Sequence, residues 1–596
     1  MDYGIIGNCK SAALVDRRGT VVWCCLPDFD SDSVFASMLD EEKGGSFGIA
    51  VDDTYTITQA YVPNTNVLRT VYESAAGGFE LYDLMPRHKD GNQYYAPPEL
   101  LRYLKRTHGK PVFTVQYRPR LGYAHYATES RIHRMGYIKS IVSEGGYESL
   151  YLYTDLRLDD ILEERPISLA GDAFLLLSYH QKIRPMTLER AMLELERTKV
   201  YWMDWVERTT AFTAWNEAIR RSALVLKLLF YQETGAIMAA VTTSLPESLG
   251  SGRNWDYRFC WIRDATMTLN MLTQLGHFNV AEDFFNYVLR VVPYKDDEMQ
   301  IMYGIHGNKR LPEQTLDWLS GYKGNGPVRV GNAAHSQRQH DIYGVLLNAM
   351  LKYMEVFKID NATLEALWTM TRSLAWTVMR TWRQPDVSIW EYRTNPGHFT
   401  FSKLLCWVAL DRGIKIAGLL GQENRAEAWA AEREVIRADI LANGWSEKAG
   451  AFTQRYGSEN LDASVLMLAS YGFLDPSDPR FVSTVHKIRQ ELCHDGLMFR
   501  YKNDDDFGTP TSSFTVCSFW MVKALWQIGE KEEAERMFNR LLSYANPLGL
   551  FSEDLDFKTK EQLGNFPQGY SHLALIDCAI TLGMRDKVVL PLARRT

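Results

Sequence analysis

The chain has 596 residues, which is too long for one ordinary hydrophobic core, so two folding units are expected. Hydrophobic residues make up 46% and charged residues 23%, which is typical of a globular protein and excludes a disordered or fibrous one. A formal charge of -7, with acidic and basic residues interspersed, excludes the basic stripe of a nucleic-acid-binding protein.

The cysteines and the N-terminal segment indicate a cytoplasmic protein that makes no membrane contact. Eight cysteines show no disulfide-framework spacing, and several lie in apolar segments, so reduced thiols are expected. The segment MDYGIIGNCK lacks the features of a secretory signal, and no stretch approaches the length of a membrane span. Cys493 and His494 are adjacent, but no further ligands follow at suitable spacing, so no metal site is expected.

The first 185 residues are predicted to form β-strands. Short segments rich in Val, Tyr, Phe and Thr are separated by Gly, Pro, Asn and Asp, and no helices intervene. This pattern predicts an antiparallel β-sandwich, although residues 99–110 fit it less well. The predicted strands cover residues 21–25, 46–51, 54–59, 68–73, 79–84, 112–117, 137–142, 149–155 and 174–179.

Helical periodicity begins near residue 186. Residues 187–208 are predicted to form a linking helix, and apolar positions then recur at i, i+3, i+4 and i+7. Twelve helices in pairs predict an (α/α)6 barrel with an inner and an outer ring of six. An open α-solenoid has the same periodicity, but it would show a repeat of fixed length, and none is found. The predicted helices are 211–231, 264–275, 279–293, 335–355, 362–381, 402–418, 424–441, 461–470, 479–492, 512–528, 530–544 and 571–583.

The resulting prediction is a two-domain α+β chain. A β-sandwich domain covers residues 1–185, a helical linker covers 186–210 and an (α/α)6 barrel covers 211–596. Four long connections of the barrel hold most of its Trp and Gly residues outside helices, and we expect them to surround a pocket. These loops are 236–263, 296–334, 384–401 and 545–570.

Two carboxyls in these loops are candidates for acid–base chemistry. Glu391 lies between Trp390 and Tyr392, and partial desolvation there would raise its pKa as a general acid requires. A Glu in this setting is more often the partner of an Arg or of the backbone. Glu553 follows Gly549-Leu550-Phe551-Ser552, where an acidic first turn after a Ser helix cap is the alternative.

Arg263 and Asp264 form a third candidate at a predicted helix start. They could present fixed donors and acceptors to sugar hydroxyls, and a helix-start ion pair is an equally good interpretation. Hydrolysis of a glycosidic bond needs two carboxyls on opposite sides of that bond, which is the chemistry these three segments together could perform.

In their order and spacing these segments resemble glycoside hydrolase family 15, the glucoamylase family, whose bacterial and archaeal members include glucoamylases and trehalases. The likeness extends over nearly the whole chain. It is carried by Tyr3-Gly4-Ile5-Ile6-Gly7-Asn8, Leu26-Pro27-Asp28-Phe29-Asp30-Ser31, Trp255-Asp256-Tyr257-Arg258, Trp261-Ile262-Arg263-Asp264, Pro327-Val328-Arg329-Val330-Gly331-Asn332, Trp390-Glu391 and Leu550-Phe551-Ser552-Glu553.

The resemblance implies a sandwich followed by an (α/α)6 barrel, and hydrolysis with inversion at the anomeric carbon. It implies Glu391 as general acid and Glu553 as general base, with Arg263 and Asp264 gripping the terminal glucose. Four further residues are expected to bind substrate or wall its pocket, and three to form the pocket rim. The first are Trp261, Trp390, Tyr392 and Arg393, and the rim residues are Asp30, Trp318 and His306.

Three positions depart from the family pattern. His306 stands where bacterial members carry Asp, Asp28 where they carry Arg or another residue, and Tyr392 where fungal members carry a second Glu. These positions bear on the leaving-group side, so the substrate stays open at this point. We expect an exo-acting α-glucosidase that releases β-glucose from a small α-glucan or disaccharide, with a trehalase as the alternative.

Other functional classes are less well supported. An inverting disaccharide phosphorylase would replace the base by a phosphate pocket, whereas Ser552-Glu553 is present. A non-catalytic glycan-binding protein would not need both carboxyls. The expected partner is a small carbohydrate, the chemistry requires no cofactor, and the sandwich surface leaves room for a homodimer.

Overall fold

The computed structural model describes residues 1–183, 186–292 and 299–583. The predicted boundary at residue 185, the predicted helix end at 293, the start of the predicted loop 296–334 and residues 584–596 lie outside these ranges.

Two antiparallel sheets form the N-terminal half of the fold. In spatial order the first contains Tyr3–Gly7, Ala12–Asp16, Val21–Cys25, Ser46–Ala50, Val112–Arg118 and Ile167–Ser168, with Ser33–Phe35 paired to Val21–Cys25. The second contains Thr128–His133, Tyr137–Val142, Ser149–Thr154, Ala173–Tyr179, Glu99–Gly109, Gly77–Leu84, Leu68–Glu73 and Thr56–Tyr61. The predicted antiparallel sandwich is confirmed.

Both sheets bury side chains on both of their faces. Successive side chains of a strand point to opposite faces, so Ile6 packs between the sheets while Ile5 packs toward the helices. In the second sheet, Leu100 and Leu101 divide in the same way. The outer face of the first sheet therefore contacts the helical half directly, where Trp23 Nε1 donates to the carbonyl of Val241 at 2.9 Å.

The segment 99–110, which fitted the strand pattern less well, contains the longest strand of the described chain. Glu99–Gly109 lies in the middle of the second sheet, between Ala173–Tyr179 and Gly77–Leu84. Its first six residues are buried and the rest are exposed, so it lacks a regular alternation. Arg102 adds a buried charge, which is neutralised by Asp83 at 2.7 Å.

A long helix follows the sandwich. Leu188–Glu207 packs on the strand Glu99–Gly109, and Thr187 caps it by accepting from the backbone N–H of Arg190. The sheets end at Tyr179 and the helix after this one begins at Asn216. The division of the chain at residues 185 and 210 stays a prediction.

The helices after residue 210 form a closed double ring. The inner elements are Ile262–Gln274, Asp341–Val356, Thr400–Leu419, Ala463–Met467, Thr515–Gln527 and Gly569–Gly583. The outer helices are Asn216–Leu228, Asn279–Val291, Asn361–Thr381, Glu427–Asn443, Pro479–Leu492 and Lys531–Leu542. Each inner element packs on the next, and the last packs on the first, so the ring is closed as an (α/α)6 barrel requires.

Burial explains which helices are inner. Gly569–Gly583 is apolar around nearly its whole circumference and is almost fully buried, whereas Lys531–Leu542 is amphipathic and exposes a charged face. Two inner helices approach closely at Gly344, where a Cβ atom would lie 2.3 Å from the carbonyl oxygen of Leu405. The predicted inner helix 461–470 is a short 3-10 helix, Ala463–Met467, which Asp462 caps.

The remaining elements are short. They are the helix Leu158–Leu162, the 3-10 helices Gly122–Ala124, Ala333–Ser336 and Glu423–Arg425, and the strands His88–Asp90, Gln93–Tyr95, Cys260–Trp261, Met302–Tyr303, Gln314–Thr315, Arg329–Val330, Trp445–Ser446, Ala451–Phe452, Cys493–His494, Leu497–Met498, Ser513–Phe514, Asp554–Leu555 and Gln562–Leu563. Within the described residues, no helix combines the length and apolarity needed to span a membrane.

Candidate active site

A cavity lies among the segments that precede the inner helices. Because the inner helices begin at one end of the ring, the loops before them converge there. The cavity wall includes seven of the predicted site residues: Trp261, Arg263, Asp264, Trp390, Glu391, Tyr392 and Arg393.

Glu391 is held in a constrained backbone conformation inside the loop before Thr400–Leu419. Its φ of 61° is uncommon for a residue with a side chain. The backbone is fixed by its N–H, which donates to Ser388, and by Gln337 Nε2, which donates to the Glu391 carbonyl at 3.2 Å. The loop therefore fixes where the carboxyl points.

The carboxyl of Glu391 has two cavity-lining partners. Trp261 Nε1 donates to Oε1 at 2.8 Å, and Arg263 Nη2 lies 3.8 Å from the same oxygen. Burial raises the pKa of Glu391, and the positive charge of Arg263 offsets part of this rise. A partly buried carboxyl with a raised pKa can hold a proton for donation.

Trp390 and Tyr392 make their own polar contacts with other parts of the site. The pKa of Glu391 is raised by burial, as expected from desolvation, and its polar contacts with Trp261 and Arg263 oppose the rise. Trp390 Nε1 donates to Asp462 at 2.7 Å, and the Tyr392 hydroxyl accepts from Gln454 at 3.1 Å. Both rings line the cavity and anchor the loop that carries Glu391.

Arg263 and Asp264 start the inner helix Ile262–Gln274 and are almost fully buried. Arg263 Nε donates to Asp264 at 3.1 Å, and its Nη1 donates to Gln339 at 3.1 Å and to Asp341 at 3.3 Å. These partners fix the guanidinium in one orientation. The pair can therefore offer fixed donors and acceptors to the hydroxyls of a sugar.

Glu553 is fully buried and does not line the cavity. Tyr257, which does line it, donates its hydroxyl to Oε1 at 2.6 Å, and the backbone N–H of Asn565 donates to Oε2 at 3.2 Å. A Cβ atom on Gly564 would lie 2.6 Å from Oε2, so a glycine is required there. Burial raises the pKa of Glu553 to about 8, and the negative charge of Glu247 adds to the rise.

Glu247 is a cavity residue that the sequence-based prediction missed. Trp255 Nε1 donates to its Oε1 at 3.0 Å, and Arg500 Nη2 lies 2.9 Å from its Oε2. The residue before it, Pro246, accepts from the N–H of Gly564, so this segment packs on the Glu553 loop. Trp255 and Tyr257 also line the cavity and were not predicted as site residues. The motif Trp255-Asp256-Tyr257-Arg258 contains both, but a motif alone does not assign a role to either.

The three predicted rim residues lie outside the cavity wall. His306 Nε2 lies 3.9 Å from Asp30, in a separate cluster beside the first sheet. Trp318 Nε1 donates to the carbonyl of Tyr123, on the sandwich. Arg258 donates to the carbonyl of Ser31 at 2.8 Å and so fixes the loop that carries Asp30.

Arg393 lies at the outer part of the cavity, with about a third of its side chain exposed. Its guanidinium pairs with Glu313 at 2.9 Å and stacks over the ring of Trp255 at 4.5 Å. A loop that was not among the predicted long loops also lines the cavity, through Tyr501, Asp505, Asp506 and Phe507. Among the described residues, no group of three or more His, Cys, Asp or Glu side chains is arranged to hold a metal ion.

Comparison with known proteins agrees with this architecture. The model of glycosyl hydrolases family 15 matches residues 214–580, and the model of the trehalase-like N-terminal domain matches residues 2–138. A trehalase from Mycolicibacterium smegmatis is 36% identical over 97% of this chain and 90% of its own length. A trehalase from Thermoplasma volcanium is 34% identical over 97% of this chain and 92% of its own.

The fold has a counterpart among solved structures. A bacterial glucoamylase complexed with acarbose superimposes with a TM-score of 0.68 and 13% identity, covering 98% of this chain and 94% of that one. Since the family model matches well over half of the chain and the relatives match nearly all of it, the chain belongs to glycosyl hydrolases family 15 and is a glycoside hydrolase.

Proposed function

We propose that the chain hydrolyses trehalose, in which two glucose units are joined through their anomeric carbons, and that it does so with inversion. The trehalases that match 97% of the chain support trehalase activity, which was the alternative expected from sequence, over the first expectation of a glucoamylase-type enzyme acting on a small α-glucan or disaccharide. The likeness to a glucoamylase supports the fold only, because its identity is 13%.

The observation that carries the proposal is a pair of carboxyls held by two neighbouring rings. Trp261 donates to Glu391 and Tyr257 donates to Glu553, and the centroids of the two rings lie 5.3 Å apart. The two carboxyls therefore flank one ring pair at the cavity wall. An inverting glycosidase needs an acid and a base on opposite sides of the bond, roughly 6.5–9.5 Å apart.

In the proposed mechanism Arg263 and Asp264 bind the glucose unit that is attacked. Glu391 donates its proton to the bridging oxygen, and the second glucose leaves as that bond breaks. Water attacks the anomeric carbon from the opposite face while Glu553 accepts its proton. The Tyr257 hydroxyl touches both the cavity and this carboxyl, and in the proposal it holds the water against Glu553.

The base must be ionised for this step. Burial raises the pKa of Glu553 to about 8, and the donors Tyr257 and Asn565 oppose this rise because they favour the carboxylate. Ionisation of Glu553 should therefore raise the rate as pH increases, whereas loss of the proton from Glu391 should lower it.

The test is to follow the purified protein with trehalose by proton NMR within the first minutes of reaction. Inversion gives one β-glucose and one α-glucose from each trehalose, whereas retention gives α-glucose alone. Maltose, isomaltose and maltotetraose serve as competing substrates. Absence of trehalose cleavage would contradict the proposal, and so would a reaction that needs phosphate and yields a sugar phosphate.

A further inference from the structure

The loop 501–511 joins two walls of the cavity. It connects the strands Leu497–Met498 and Ser513–Phe514, and its residues Tyr501, Asp505, Asp506 and Phe507 line the cavity. We call it the bridging loop.

One end of the bridging loop is tied to the wall that carries Trp255. Arg253 donates to both carboxylate oxygens of Asp505, at 2.6 and 2.8 Å, and to the carbonyl of Gly508 at 2.6 Å. The side chains of Arg253 and Asp505 are only 5% and 6% exposed, so water screens this pair little. The tip of the loop is therefore fixed on this side.

The tip is also tied to the opposite wall, which carries Glu391. The carboxylate of Asp506 accepts from the backbone N–H of Arg393 at 2.5 Å, from that of Thr394 at 3.0 Å, and from the Thr394 hydroxyl. Asn503 adds a contact at 3.2 Å to the hydroxyl of Tyr392. These bonds join the bridging loop to the segment one to three residues beyond Glu391.

The exposure of the side chains gives the direction in which substrate lies. Arg263 is 7% exposed, Glu391 is 24% exposed and Arg393 is 31% exposed, so the cavity runs outward in this order. The glucose bound by Arg263 and Asp264 is then innermost. The leaving group lies beyond Glu391, against Arg393 and the bridging loop.

We propose that Asp506, through its bonds to Arg393 and Thr394, closes the leaving-group end of the cavity after one sugar unit. The site then accepts a disaccharide and excludes longer α-glucans, because the third unit would have to pass where Asp506 meets Arg393. This inference rests on the proposed function, since it concerns the leaving-group side of the same site.

The test compares kcat/KM for trehalose, maltose, maltotriose and maltotetraose in the wild type and in Asp506→Ala. We expect the ratio of the maltotriose value to the trehalose value to rise at least about tenfold in Asp506→Ala, as the bridge opens. Asp506→Asn keeps one acceptor oxygen and should give an intermediate ratio. The matched control is Asp504→Ala, which removes a neighbouring exposed carboxylate that bonds Thr509 within the loop and does not line the cavity.

Each possible outcome either supports the inference about Asp506 or overturns it. An unchanged ratio in Asp506→Ala, or an equal loss of activity on every substrate, would overturn the inference, and the thermal midpoint of the variant shows whether it is folded. A wild type that cleaves maltotetraose as well as disaccharides would also overturn it. A wild type that cleaves maltose but not trehalose contradicts the proposed substrate, while the Asp506→Ala ratio, taken against maltose, still tests the closure.

Discussion

Tyr257 and Glu553 are joined by a 2.6 Å hydrogen bond in which the tyrosine hydroxyl donates to Oε1. The donor favours the ionised carboxyl, whereas burial and the charge of Glu247 raise its pKa to about 8. This hydrogen bond therefore helps to set the pH at which the proposed base becomes ionised.

Replacing Tyr257 by Phe is expected to raise the pKa of Glu553 further. A hydrogen bond to a charged group contributes roughly 1.5–3 kcal/mol, and one pKa unit corresponds to about 1.4 kcal/mol, so the shift should be about one unit or more. Since the base must be ionised, the ascending limb of kcat/KM against pH moves upward, and kcat/KM at neutral pH falls by about tenfold. The measurement is the pH profile with trehalose.

The control for this variant is Tyr287→Phe. Tyr287 is fully buried, and its hydroxyl donates to the carbonyl of Gly304 at 2.8 Å, but it does not line the cavity. It should lose similar stability without moving the pH profile. An ascending limb that stays in place in Tyr257→Phe would show that Glu553 is not the group being titrated.

Glu247→Gln should move the same limb in the opposite direction. The charged neighbours of Glu553 are Glu247, Asp554 and Arg500, and the negative charge of Glu247 raises its pKa. Removing that charge lowers the pKa of Glu553. It also leaves the positive charge of Arg500 with less negative charge beside it, so Glu553 ionises at lower pH. Gln retains an acceptor for Trp255 Nε1. A limb that moved upward would contradict this electrostatic account.

The sequence identified the deep part of the site better than its outer part. Arg263, Asp264 and Glu391 stand next to distinctive Trp residues in short segments, and the inner helices bring the segments together. The Asp505-Asp506 segment has no helical periodicity and reads as an ordinary solvated loop. Its role depends on Arg253 and Arg393, which lie more than a hundred residues away and meet it only in the folded chain.

The predicted rim residues do not line the cavity, and their position depends on a different contact. Asp30 was expected at the pocket because its loop belongs to the same family motif as the rest. In the structure Tyr257 contacts Glu553, whereas its neighbour Arg258 contacts the Asp30 loop at Ser31. A motif gives the order of residues, but not the face on which each side chain lies.

Glu391→Gln and Glu553→Gln should each lower kcat on trehalose by at least about 10²–10⁴-fold, the usual contribution of a general acid or base. Gln preserves the size of each side chain, so circular dichroism and the thermal midpoint should change little. Glu432→Gln is the matched control, because Glu432 accepts from Trp382 Nε1 at 2.6 Å, as Glu391 does from Trp261, and lies outside the cavity wall. Near-full activity of either active-site variant would show that the residue is not the general acid or base assigned here.

The buried pair Asp83–Arg102 gives a prediction for stability. Arg102 Nε donates to Asp83 at 2.7 Å within one sheet, and its other nitrogens donate to the carbonyls of Phe47 and Gly19 on the other sheet. Both side chains are 0% exposed, so Asp83→Asn leaves a buried positive charge without its counterion. The free energy of unfolding should fall by about 3–5 kcal/mol, measured by urea denaturation followed by circular dichroism.

The comparison for Asp83→Asn is a carboxylate-to-amide change in an exposed ion pair. Glu459 pairs with Lys448 at 2.6 Å, with 54% and 80% of their side chains exposed, so Glu459→Gln should change the free energy of unfolding by about 0–1 kcal/mol. Two variants that differed little from each other would mean that the two carbonyl acceptors suffice to hold Arg102. A clear difference would show that the Asp83 carboxylate is what allows a charged residue to join the two sheets.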